Sequence, residues 1–152
     1  MEEIIIKYIR TSIDEVLKSK IPEYATEGSA GIDLSACISE DITIKPGEIV
    51  KVNTGIAIQI PHKGIGGFIF PRSGLSSKHG ISLANCVGVI DSDYTGEIIC
   101  PVINHSKSDY TIKCGDRIAQ IVFMPVLNVK LQQTDSLEAT ERGAGGFGST
   151  GM

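Results

Sequence analysis

The chain has no tryptophan, and only four phenylalanines and four tyrosines among its 152 residues. Its core must therefore be built from Ile, Val, Leu and Ala. The four cysteines are Cys37, Cys86, Cys100 and Cys114, and no two of them stand at C-x-x-C spacing. That spacing argues against a zinc framework and leaves a disulfide open. There is no basic excess: 14 Lys and Arg stand against 18 Asp and Glu, for a net charge of −4. A nucleic-acid backbone is therefore not the expected partner, although a few arginines and backbone N–H groups would still suffice for a small anion. No apolar run approaches the ~18 residues of a spanning helix, so no membrane is expected either. Met1-Glu2-Glu3 carries the wrong charge for a signal peptide. A cytoplasmic setting with reduced thiols follows as the default.

What is present points to one domain. The length suits a single core without staples, and 41% hydrophobic with 21% charged residues is a globular composition. Period two dominates. Ile42 and Ile44, Val50 and Val52, then Ile56, Ile58 and Ile60 alternate with other residues, which aims one set of side chains at a core. Further β-branched or aromatic stretches cover residues 4–9, 68–70, 97–103, 110–112, 118–123 and 126–131. Turn signals separate them at 45–47, 60–62, 104–106 and 114–116. Many short strands at this spacing predict an all-β sandwich, jelly roll or barrel. Helix signals are few. Ser12 and Glu15 make a capping-box pattern before Val16 and Leu17, where a short helix and a loop fit equally. Residues 73–79 allow one or two helical turns ended by Gly80. Apolar periodicity stops after Leu131. Residues 1–133 therefore read as the β-rich core, and 134–152 as a Gly-rich arm within the same domain.

Five segments could carry chemistry. Residues 142–151, RGAGGFGSTG, offer unhindered backbone N–H groups, the Ser149 and Thr150 hydroxyls, and the fixed charge of Arg142. They fit a phosphate lid and a flexible tail about equally. Residues 88–96, GVIDSDYTG, read as a hairpin with Asp91 and Asp93 at its turn. Those acids either shape the turn or orient a water, with Tyr94 offering a flat face to a ligand ring. In residues 70–80, Arg72, Ser73 and the N–H groups after them could form an anion nest, or else a surface ion pair and a helix cap. Asp33 stands alone in the apolar run 30–34, so it needs a partner, water or a site. Gln120 lies in an apolar strand after Asp116 and Arg117, which read as a turn residue and an ion-pair partner. His62, His79 and His105 occupy loop-like positions and form no ligand cluster.

Taken together and in order, residues 30–34, 71–81, 88–97, 115–123 and 142–151 resemble the five motifs of the trimeric dUTP diphosphatase family, across nearly the whole chain. The stretch 12–20 looks longer than that family's usual loop. The resemblance implies a jelly-roll-like β fold and a homotrimer with active sites between subunits and an exchanged C-terminal arm. It implies hydrolysis of dUTP to dUMP and pyrophosphate, which limits uracil in DNA and supplies dUMP for dTMP synthesis. Asp91 would activate the attacking water. Tyr94 would pack under the deoxyribose, and the backbone through Asn85, Gly88 and Ile90 would read uracil. Arg72, Ser73, Gly74 and Gln120 would hold phosphates. Arg142, Ser149 and Thr150 would join them from the arm, with Gly148 beside them and Phe147 stacked on the base. Mg2+ would sit mainly on the substrate phosphates and meet Asp33 only through water. An enzyme of the same fold that deaminates dCTP is the nearest rival. A non-catalytic nucleotide-binding module and a plain trimeric scaffold are more distant ones.

Overall fold

The computed structural model describes residues 4–12 and 20–146. Ten strands and one helix follow in order: β1 Lys7–Arg10, β2 Ile32–Ser35, β3 Ile42–Ile44, β4 Ile49–Gln59, β5 Ile65–Pro71, α1 Ser73–His79, β6 Ile81–Leu83, β7 Gly88–Ile90, β8 Glu97–Asn104, β9 Tyr110–Ile112 and β10 Arg117–Pro125. They form two four-stranded sheets, β1-β4-β8-β6 and β2-β10-β5-β7, and a ribbon, β3-β9. Every pairing is antiparallel. The expected jelly-roll-like all-β class is what the chain adopts.

Alternation explains the packing. In β8, Ile98, Cys100, Val102 and Asn104 point inward while Glu97, Ile99, Pro101 and Ile103 are more exposed. One apolar core joins all three sheets, from Leu34, Ile69 and Ile121 on one side to Val52, Ile56 and Ile98 on the other, with Ile44 and Ile112 from the ribbon. Asn104 is the polar exception and is fully buried. It is satisfied: its amide donates to the Ile44 and Ser108 carbonyls, and its oxygen accepts the Ser106 N–H. No disulfide joins the four cysteines. Burial pushes the Cys100 thiol up to about 12, so it stays protonated and acts as a small core hydrophobe.

Three expectations change. The stretch 126–131 forms no strand here; the last strand ends at Pro125, and Leu127, Val129 and Leu131 are 90%, 76% and 92% exposed. A strand needs a neighbour for its N–H and C=O groups, and among the described residues this segment has only one backbone bond, from the Val126 N–H to the Gly64 carbonyl. Ser73 is not the helix cap: Arg72 holds that position, and no side chain caps the helix. The helix does end at Gly80, at φ 66°. Third, residues 88–96 are not a hairpin. β7 pairs with β5 and β8 with β4 and β6, so this segment crosses from one sheet to the other. The helix-or-loop alternative for 12–20 falls mostly outside the described residues.

Candidate active site

One cluster is set by strand register. Asp33 on β2 lies opposite Gln120 on β10, and Gln120 lies opposite Phe70 on β5. Residues directly opposite in an antiparallel pair share a face. β5 ends one residue later and delivers Arg72 to the same place. The Arg72 Nε donates to Asp33 Oδ1 at 2.8 Å, and the Arg117 Nη1 donates to Asp33 Oδ2 at 3.0 Å. Gln120 Nε2 donates to the Pro71 carbonyl at 3.1 Å. Asp33 thus finds the partners that a carboxylate in an apolar strand requires. Two guanidiniums against one carboxylate leave the cluster with positive charge in excess.

The helix adds donors. The Ser76 N–H is the first to bond within α1, to the Arg72 carbonyl at 3.0 Å. The N–H groups of Ser73, Gly74 and Leu75 are therefore left without an intrahelical acceptor. Arg72, Ser73, Gly74, Gln120 and Asp33 line one open cleft of about 850 Å³. Gly31 shapes it: a Cβ there would lie 2.5 Å from Gln120 Oε1. The cleft is polar, electropositive and donor-rich, which suits a polyanion.

A second cluster lies on the sheet-to-sheet crossing. The Tyr94 N–H bonds the Asp91 carbonyl at 3.1 Å, which closes a turn over Asp91, Ser92 and Asp93. The Asp91 carboxylate is exposed, and among the described residues no group pairs with it. Tyr94 folds back over Gly96 and donates its hydroxyl to the Glu97 carbonyl at 2.8 Å. A Cβ at Gly96 would stand 2.6 Å from that hydroxyl, so the fold-back needs glycine. Asp91, Ile90, Tyr94 and Glu97 line a small cavity of about 170 Å³. The stretch leading in is tightly wound. Cys86 holds φ 62°, and the Val87 N–H reaches the Asn85 carbonyl at 2.7 Å. Gly88 is buried against Ile69 and has Asn85 beside it.

The chain therefore assembles the predicted residues into two groups and not into one cleft. Arg72, Ser73, Gly74, Gln120 and Asp33 form one; Asp91, Ile90 and Tyr94 form the other, with Asn85 and Gly88 at its approach. Arg142 belongs to neither: it is exposed and donates to the Gly145 carbonyl three residues on. Phe147, Gly148, Ser149 and Thr150 lie outside the described residues. The three histidines are exposed, with His79 tilted against Tyr110 at 5.1 Å.

Comparison with known proteins assigns the family. The dUTPase family model matches residues 18–151. The chain belongs to the dUTPase family. It is 56% identical over 133 residues to the deoxyuridine 5'-triphosphate nucleotidohydrolase of Desulfitobacterium hafniense strain DSM 10664, covering 88% of each chain. It is 51% identical over 132 residues to the protein of the same name from Acinetobacter baylyi, covering 87% of this chain and 88% of that one. Among solved structures, the Staphylococcus bacteriophage 80alpha dUTPase G164S mutant with dUpNHpp superposes with a TM-score of 0.85 at 26% identity, covering 97% of this chain and 99% of the other.

Membership does not bring a metal cage with it. Among the described residues, no three His, Cys, Asp or Glu side chains gather to hold an ion. Both Asp33 oxygens already accept from arginine, although each retains a second acceptor direction. That donor set fits an ion carried by substrate oxygens and its own waters, and does not fit one enclosed by protein. Three contributors, Gly31, Gly96 and Glu97, lie within the predicted motifs but carry no site role in the sequence reading. Their signals are cross-strand register and a folded-back ring, and neither is visible in residue order.

Proposed function

We propose that this chain hydrolyses dUTP to dUMP and pyrophosphate by attack of water on the α-phosphorus, with Asp91 as the general base. The observation that carries the reading is the exposed, unpaired Asp91 carboxylate within a family whose curated relatives are named deoxyuridine 5'-triphosphate nucleotidohydrolases. A carboxylate without a protein cation beside it has both oxygens open to water and can take a proton from it. In the reaction the water oxygen bonds to the α-phosphorus, its proton passes to Asp91, and the bond to the α–β bridging oxygen breaks. Tyr94 packs under the deoxyribose where a 2'-hydroxyl would clash. The backbone through Asn85, Gly88 and Ile90 accepts uracil.

Phosphoryl transfer asks for positioning and charge neutralisation. Arg72, the Ser73 and Gly74 N–H groups and Gln120 receive the phosphates. Asp33 fixes the Arg72 guanidinium and reaches the metal only through water. Mg2+ on the triphosphate supplies charge neutralisation when bound. The 134–152 arm closes the site, with Phe147 on the base and Arg142, Ser149 and Thr150 on the phosphates, Gly148 allowing close approach. The phosphate cleft and the Asp91 cavity are lined by different residues in one chain. A homotrimer that joins the cleft of one subunit to the Asp91 segment of another is the arrangement this division supports. The exposed alternation of Leu127, Val129 and Leu131 supports an exchanged segment. A reducing cytoplasmic setting agrees with four cysteines and no disulfide.

A substrate panel tests the reading. Pyrophosphate release should be rapid from dUTP and weak from UTP, dTTP and dCTP, and should collapse when EDTA removes magnesium. Ammonia released from dCTP would establish the deaminase reading instead.

A further inference from the structure

β4 carries a bulge beside the Asp91 segment. Its register with β8 shifts between Asn53, opposite Ile99, and Ala57, opposite Glu97. Three β4 residues thus face only Ile98. A bulge removes groups from the ladder, and the groups it strands must find other partners. Here the two strands trade side chains. Thr54 Oγ1 on β4 donates to the Ile98 carbonyl at 2.7 Å. Glu97 Oε1 on β8 accepts the Gly55 N–H at 2.8 Å. Thr54 and Gly55 are both buried, and Gly55 holds φ 67°, so this N–H has no easy route to water. The Gly55 carbonyl accepts the Thr11 N–H at 2.9 Å and ties the bulge to the end of β1.

Glu97 does a second job with its backbone. Its carbonyl is the acceptor for the Tyr94 hydroxyl at 2.8 Å, and the ring reaches it by folding over Gly96. One residue therefore links the ring beside Asp91 to the hydrogen-bonded bulge of β4. Glu97 also lines the same small cavity as Asp91 and Tyr94.

We propose that Glu97 is a positioning residue for sugar selection: its carboxylate on the Gly55 N–H fixes the start of β8, and so fixes the carbonyl that holds Tyr94 against the deoxyribose. This rests on the proposed role of Tyr94. Losing the carboxylate leaves a buried N–H without an acceptor, and the bulge relaxes to satisfy it. The Glu97 carbonyl then shifts, Tyr94 loses its anchor, and room opens for a 2'-hydroxyl. The effect falls on discrimination between dUTP and UTP. A purely structural role would lower the amount of folded enzyme and leave that ratio alone.

The test compares kcat/KM for dUTP and UTP in the full-length protein carrying Glu97→Ala, Glu97→Asp, Glu97→Gln or Tyr94→Ala. Glu97→Ala and Glu97→Asp, the second too short to reach Gly55, should reduce the dUTP preference by ~10-fold or more, as expected where a site loses a precise steric wall. Glu97→Gln keeps a carbonyl acceptor for the N–H and should restore the parent ratio. Should Glu97→Ala fail to fold, Glu97→Asp and Glu97→Gln still decide the matter. An unchanged ratio in Glu97→Asp, with Tyr94→Ala degrading it, would overturn the role of Glu97 alone. An unchanged ratio in Tyr94→Ala would overturn the sugar-packing reading on which it stands.

Discussion

Asp33 shows how much one side chain can organise. Its two oxygens hold Arg72 and Arg117 in fixed directions, and its ladder partner Gln120 is held in turn by the Pro71 carbonyl. Phosphate recognition depends on such prior placement, because ordering a long guanidinium at the moment of binding is entropically costly. Gly31 keeps the space that Gln120 occupies. The substitution Gly31→Ala would push the amide off Pro71 and into the cleft. It should raise KM for dUTP by ~10-fold while changing thermal stability little, since the clash falls on one part-exposed side chain, that of Gln120, and on no backbone atom. Steady-state kinetics beside a melting curve checks this. An unchanged KM would mean that Gln120 takes no part in binding.

Elements place those residues, and here legibility from sequence divides. Alternation in 42–60 and 97–103 announces strands directly, because one face of each is buried in the core. The helix stop at Gly80 is equally legible: the position is left-handed at φ 66°, and a Cβ would lie 2.9 Å from the Ser106 backbone nitrogen. Gly80→Ala should therefore lose about 1–3 kcal/mol in a denaturant titration. A loss under half of that would mean that the loop carrying Ser106 yields freely. What residue order hides is partnership. Residues 88–96 look like a hairpin because Gly and two Asp sit between apolar runs, yet the flanking strands join different sheets. The apolar alternation of 126–131 is likewise readable as a strand, and no strand among the described residues receives it. Of the candidate site, residue types and segments were legible. The ion pairs of Asp33 with its two arginines and the Glu97–Gly55 bond were not, because they depend on register between segments 39 or more residues apart.

At the scale of the whole molecule, a single chain presents two separate clusters and a long exposed arm. Residues 134–146 are exposed almost throughout, and Leu137 is 88% exposed with no core to join. If the arm closes a site between subunits, deleting residues 134–152 should leave the oligomer and its melting temperature nearly unchanged. It should lower kcat/KM by ~10²-fold or more, because water exclusion and several phosphate contacts are lost together. Full activity in the truncated protein would remove the lid from the account. The proposed chemistry rests on Asp91, whose carboxylate has no protein partner among the described residues. Asp91→Asn is nearly isosteric and removes only the ability to take a proton. Measured together, dUpNHpp affinity and single-turnover dUTP hydrolysis should show binding close to the parent and chemistry slowed by ~10²–10⁴-fold. Hydrolysis at the parent rate, with binding intact, would contradict the assignment of Asp91 as the base.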